Sequence, residues 1–97
     1  MFDAAGFRSW LVANKPYSDK VISDIVSRMR RSDSILPWSD DEFYQIRLER
    51  NEAYAALSVS VRSQCKRAVK LYSDYVKSPE YTMVITEEYV PSMAVES

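Results

Sequence analysis

Ser18-Asp19-Lys20-Val21-Ile22-Ser23-Asp24-Ile25-Val26-Ser27-Arg28-Met29-Arg30-Arg31, running on to Ile35-Leu36-Pro37, is the stretch from which the fold class is read. Ile22, Ile25, Val26 and Met29 fall at i, i+3, i+4 and i+7, the spacing that draws one apolar stripe along an α-helix. Val21, Ile35 and Leu36 lie at the edges of that stripe. The opposite face carries Lys20, Ser23, Asp24, Ser27, Arg28, Arg30 and Arg31. Ser18 is placed to cap the first turn, and Asp19 puts negative charge where the helix dipole favours it. Pro37 cannot continue the backbone ladder, so the expected helix spans 18–36.

Both flanks continue the helical pattern. Upstream, Phe7, Trp10 and Leu11 share a face of a helix over 3–14, with Asp3 as N-cap and Asn14-Lys15-Pro16 as its end. Downstream, Ser39-Asp40-Asp41-Glu42 has the form of a capping box. It predicts a helix over about 40–50 that buries Phe43, Ile46 and Leu48, with Asn51 breaking it. A short turn over Glu52–Leu57 is expected to bury Tyr54 and Leu57. Ser58 and Ser60 offer two N-caps for a last helix reaching about Lys77. Its apolar stripe is Val61, Cys65, Ala68, Val69, Tyr72 and Val76, and Arg62, Ser63, Lys66, Arg67 and Lys70 lie across from it. Ser78-Pro79 ends it.

Beyond residue 79 the chain changes character. Tyr81–Val90 is rich in β-branched and aromatic residues, but no earlier segment offers a strand partner. Three readings stay open: a peptide packed along the helices, a strand added to another molecule, or disorder. The chain thus divides into a helical domain over 1–78 and an extended acidic tail over 79–97. The expected class is all-α, a compact bundle of four or five helices. Two Trp, seven Tyr and three Phe in 97 residues supply ample core, and a single glycine is too few for a hairpin-rich β-fold. No apolar run approaches the ~20 residues of a membrane span, and the start has no signal-peptide pattern. With one cysteine besides, a cytoplasmic setting and no membrane partner are expected.

Catalytic chemistry has little to stand on. There is no histidine and one cysteine, which excludes Ser-His-Asp and Cys-His centres and the usual zinc sites. One glycine cannot build a phosphate-cradling loop. Asp40, Asp41 and Glu42 are accounted for by the capping box, and Cys65 by burial on an apolar stripe. A non-enzyme without cofactor or metal is expected.

Charge is distributed unevenly. All 13 Lys and Arg fall within residues 1–77, against ten acids, leaving the body at +3, while Glu80, Glu87, Glu88 and Glu96 put −4 beyond it. Such asymmetry suits a body that meets a polyanion or a tail that covers a basic surface. Two helices each join a serine-rich first turn to a basic face. One carries Lys20, Ser23, Ser27, Arg28 and Arg31; the other carries Ser60, Arg62, Ser63, Lys66, Arg67 and Lys70. Hydroxyls, helix N-termini and cationic side chains are the groups that hold phosphates, and the Gln64 amide suits a base edge. A pI near 5.4 is low for a dedicated DNA-binding domain.

The stretch from Phe7 to about Ser78 resembles the N-terminal core-binding domain, a SAM-like helical domain, of phage-type tyrosine recombinases and integrases. The likeness rests on Phe7-Arg-Ser-Trp-Leu11, on Tyr17-Ser18-x-Lys20-x-Ile22-Ser23 leading to Val26-Ser27-Arg28-Met29-Arg30-Arg31, and on Leu57-Ser58-x-Ser60-x-Arg62-Ser63 leading to Ala68-Val69-x-x-Tyr72-x-x-Tyr75. It implies a bundle that clamps duplex DNA from one side, with the two basic sets just named as the DNA-facing positions. The family's catalytic domain, with its Arg, Lys, His and nucleophilic Tyr, has no counterpart in these 97 residues, so the expectation is a fragment or a stand-alone module that kept the fold without the chemistry.

Two functions compete. One is a non-catalytic DNA-binding module from a phage or mobile-element recombination and integration system. The other is a protein-interaction module, such as a small phage-encoded inhibitor, docking through its helices or through Tyr81–Val90. The clamp requires Arg28 and Arg31 to lie on the same side of the bundle as Arg62 and Arg67.

Overall fold

In the computed structural model, which describes residues 2–79 and 81, five helices follow one another: α1 (Ala4–Asn14), α2 (Asp19–Ile35), α3 (Tyr44–Glu49), α4 (Glu52–Ala55) and α5 (Val59–Val76). Among the described residues there is no strand. The fold class is all-α. Each long helix starts where a short polar side chain meets an apolar run: the carboxylate of Asp3 accepts from Gly6 N–H, and the hydroxyls of Ser18 and Ser58 accept from Val21 and Val61 N–H. No described helix is long and apolar enough to cross a membrane.

α2 and α5 form the principal pair, and α1 packs against both. Ile22, Ile25, Val26 and Met29 of α2 are buried as their spacing requires. Ser32 joins them, fully buried, its hydroxyl donating to the Arg28 carbonyl at 3.1 Å. On α5 the buried stripe is Cys65, Ala68, Val69, Leu71, Tyr72 and Tyr75, with Val61 and Val76 half-buried. It is wider than one seam because α1 and α2 both cover it.

Tyr72 is the centre of the core. Phe2, Phe7 and Trp38 meet its ring edge-on at centroid distances of 5.2, 5.1 and 5.0 Å, the geometry that ring quadrupoles favour. Its hydroxyl accepts from the Asp3 backbone N–H at 2.9 Å. One helical turn on, the Tyr75 hydroxyl donates to Asp3 Oδ2 at 2.8 Å. The carboxylate that caps α1 therefore also ties the start of the chain to α5.

The one glycine sits inside this tie. A Cβ at Gly6 would collide with the Asp3 carboxylate and the Tyr75 hydroxyl. In an ordinary helix interior Gly→Ala stabilises by about 1 kcal/mol. Here Gly6→Ala is expected to destabilise by about 1–3 kcal/mol, because the intruding methyl separates a buried hydroxyl from its acceptor. Urea denaturation checks the sign.

Tyr44 and Tyr54 complete the buried tyrosines. The Tyr44 hydroxyl donates to the Leu36 carbonyl at 2.7 Å, and the Tyr54 hydroxyl to the Arg62 carbonyl at 2.9 Å. Burial raises the pKa of Tyr44, Tyr54, Tyr72 and Tyr75. In each the main cause is removal of the phenolate from water. For an acid whose folded pKa is raised, the stabilisation is present below the unfolded value near 10 and is lost as pH rises past it. Alkaline titration followed by tyrosinate absorbance and circular dichroism is therefore expected to show late tyrosines ionising together with unfolding. Independent titration near pH 10 with the helices intact would contradict this burial.

The segment around α3 departs from the sequence reading. The capping box does not form. Ser39 donates to Asp41 Oδ2 and accepts from the Arg47 guanidinium rather than from a backbone N–H, and Asp41 Oδ1 accepts from Phe43 N–H at 2.8 Å. Asp41 also grips Arg47 at 2.8 Å, and these bonds hold its carboxyl below the usual carboxylate range, the Arg47 bond most of all. The helix starts only at Tyr44, after Phe43, which makes no side-chain cap bond. This start turns the Tyr44 ring inward under Trp38 and buries Leu48, leaving Phe43 56% and Ile46 48% exposed, where burial was expected. Asn51 does more than break α3, since its side chain caps α4. α4 ends at Ala55, burying Tyr54 but leaving Leu57 half-buried. Of the tail, Tyr81 is described, its ring edge-on to Tyr75 at 5.1 Å, so the packed body reaches past the 78/79 boundary. Residues 82–97, including the remainder of Tyr81–Val90, lie outside the described residues.

Candidate nucleic-acid interface

Basic side chains of α2 and α5 meet along the seam between the two helices. Arg28, one turn beyond the buried Ile25, leans off the core edge of α2. Its Nε donates to Gln64 Oε1 at 2.7 Å. Gln64 in turn reaches back to Ser60 Oγ at 3.4 Å. Three residues on, the Arg67 guanidinium lies over the Tyr17 ring, 5.2 Å from its centroid. Stacking of this kind orients a cation while leaving its donors available. Arg28, Gln64 and Arg67, with Val21, Asp24 and Ile25, line one groove of about 260 Å³. Arg28 and Arg67 are therefore on one side of the bundle.

The other expected contact residues divide between this side and others. Lys20, Ser27 and Arg31 are exposed along α2, and Ser60, Ser63, Lys66 and Lys70 are exposed along α5. Ser23 is turned to the α1 flank, where its hydroxyl accepts from Arg8 Nη1 at 3.1 Å. Arg30 is on that flank too, with its guanidinium 5.8 Å from the Phe2 ring centroid. Arg62 points away from the seam, five residues and nearly a half-turn around α5 from Arg67, so the one-sided set of Arg28, Arg31, Arg62 and Arg67 that the clamp requires is not complete. Arg62 is half-buried, and its Nε has no hydrogen-bond partner among the described residues. The serines that start the two helices, Ser18 and Ser58, are engaged as caps, and the Gln64 carbonyl oxygen is held by Arg28.

Acidic groups frame the interface. Asp24 lies in the seam. Lys70 Nζ is 4.0 Å from Asp74. The outer face of α5 forms one wall of a second groove whose other wall is residues 40–45, bringing Asp40, Asp41 and Glu42 opposite Lys66 and Lys70. Arg67 lines both grooves, whereas Arg28 and Asp24 line only the first. No group of three or more Asp, Glu, Cys or His among the described residues is placed to hold a metal ion. Cys65 is fully buried.

The sequence reading missed Tyr17 as the platform under Arg67 and Arg8 as a cation near α2. Tyr17 sits in the connection between two helices, outside any periodic pattern, and its place under Arg67 follows from the crossing of α2 and α5. No protein-family model, curated protein or solved structure matches the chain.

Proposed function

We propose that this chain is a non-catalytic helical module that binds duplex DNA through phosphate contacts along the α2–α5 seam. The observation that supports it is the meeting of Arg28 and Arg67 in one groove, from positions far apart in the chain. Lys20, Ser27 and Arg31 extend that surface on α2 and Ser60, bonded to Gln64, extends it on α5, while Ser63, Lys66 and Lys70 line the neighbouring groove, which Arg67 shares. Arg67 stacked on Tyr17 and Arg28 steered by Gln64 are held cations, and held cations lose less side-chain entropy on meeting a phosphate than free ones. Contacts of this type position a duplex without reading its sequence. The resemblance to recombinase core-binding domains points the same way and suggests a place in a phage or mobile-element recombination system. Ser23 and Arg62 are left out of the contact set, since one serves the α1 flank and the other faces away from the seam.

A second reading, a protein-interaction module, draws on the exposed Phe43 and Ile46, one turn apart on the surface around α3. Salt separates the two. Phosphate binding weakens steeply with ionic strength, whereas apolar docking does not. Fluorescence anisotropy of a labelled duplex of about 30 base pairs, long enough to present several phosphate registers, is the test. Binding at low salt that is lost toward physiological salt supports the DNA module; no binding even at low salt overturns it.

A further inference from the structure

The groove between residues 38–45 and the outer face of α5 encloses about 1030 Å³, and its two walls carry opposite charge. Asp40, Asp41 and Glu42 stand on one side. Lys66, Arg67, Lys70 and Lys77 stand on the other, with Asp74 as the single carboxylate among them. Among the described residues no ion pair crosses the groove. Asp41 is held by Arg47 of α3, and Lys70 by Asp74 of its own helix. Asp40, Glu42, Lys66 and Lys77 are exposed and enter neither pair. Trp38, Phe43 and Val69 add apolar lining, and Phe43, on the acidic side, presents over half of its surface to water.

Such a groove suits neither an acidic nor a basic partner, since each would meet one wall of like charge. It suits a partner that carries the same two walls in reversed order. We propose that this partner is a second copy of the chain, and that the groove is the contact surface of a two-fold homodimer. In an isologous contact, residue i of one copy meets residue j of the other, and j meets i. With the two-fold axis running along the groove, residues 40–42 of each copy lie over the α5 wall of the other, so both contacts join opposite charges. An axis across the groove would set acid on acid and base on base, and like-charge repulsion disfavours it. The favoured rotation also carries the exposed Phe43 ring onto Val69 and the aliphatic stems of the lysines of the second copy, and buried aromatic rings are frequent anchors of protein contacts. α5 contributes Ser63 to Lys77 to the groove, about 21 Å of helix. The contact is therefore small, and assembly depends on concentration.

Association through this groove is independent of duplex binding, and no nucleic acid enters its test. Sedimentation velocity of the full chain is followed at low salt over about 5–500 μM, the span in which a small interface assembles. The parent is expected to pass from monomer to dimer; a parent that stays monomeric throughout overturns the second copy as occupant. Two charge-reversed variants locate the surface. Asp40→Lys/Glu42→Lys leaves both walls basic, and Lys66→Glu/Lys77→Glu leaves both walls acidic. All four side chains are exposed, so circular dichroism should show each variant folded. Each alone is expected to self-associate at least about tenfold more weakly than the parent. An equimolar mixture of the two is expected to dimerise, because each of its two contacts again joins opposite charges. Variants that dimerise as the parent does place the contact on another face and overturn the proposal. A mixture that stays monomeric removes the pairing of opposite walls and overturns it as well.

Discussion

Replacing Tyr72 by alanine is expected to destabilise the protein by about 3–5 kcal/mol. The ring is 1% exposed and meets Phe2, Phe7 and Trp38 edge-on. Its removal opens a cavity between α1, α5 and the segment before α3, none of which can collapse without moving another. A domain of this size has a total stability of about 5–15 kcal/mol, so the substitution removes between about a fifth and all of it. Tyr72→Phe separates packing from hydrogen bonding. It keeps the ring and leaves the Asp3 N–H without its 2.9 Å acceptor, a loss of about 1–3 kcal/mol. Urea denaturation of the three proteins gives the ranking. A Tyr72→Ala protein as stable as Tyr72→Phe would contradict the central place of the ring.

The second large effect concerns the seam. Arg28→Glu/Arg67→Glu is expected to weaken duplex binding about tenfold or more at low salt, since it replaces two phosphate-facing cations by anions. Arg62→Gln is expected to leave binding within about twofold of the parent, because a cation on another face of α5 contributes only through screened, long-range attraction. All the replaced side chains lie outside the apolar core, so circular dichroism should show each variant folded. Equal losses from both variants would mean that general positive charge, and not the seam, carries the affinity.

Much of the fold was legible because helix periodicity and helix caps are local. Asp3, Ser18 and Ser58 each cap the helix that follows, and Ile22, Ile25, Val26 and Met29 are buried by spacing alone. The α3 region failed for an equally physical reason. Ser39 and Glu42 have capping-box spacing, but Arg47 recruits both Asp41 and Ser39 at 2.8 and 2.7 Å. That contact consumes the cap and shifts the helix start to Tyr44. A capping motif competes with side chains one or two turns downstream, and local spacing does not reveal the winner. Ser32 was missed because its hydroxyl satisfies itself on its own helix backbone, which lets a polar residue pass into the core.

The candidate interface was legible as a list of cations and not as a surface. Arg28 and Arg67 meet in one groove, and Ser23 and Arg62 do not join them. That division depends on how α2 and α5 cross, which is a property of the packed pair.

The central claim is that the seam is a phosphate-binding surface, and the dependence of duplex affinity on salt tests it most directly. Plotted as the logarithm of the association constant against that of salt concentration, the parent chain should give a steep negative slope. The slope should become shallower by about 2 in Arg28→Glu/Arg67→Glu, close to one unit for each phosphate that the variant no longer neutralises. A flat parent slope, or a steep one that the double variant leaves unchanged, would contradict the account.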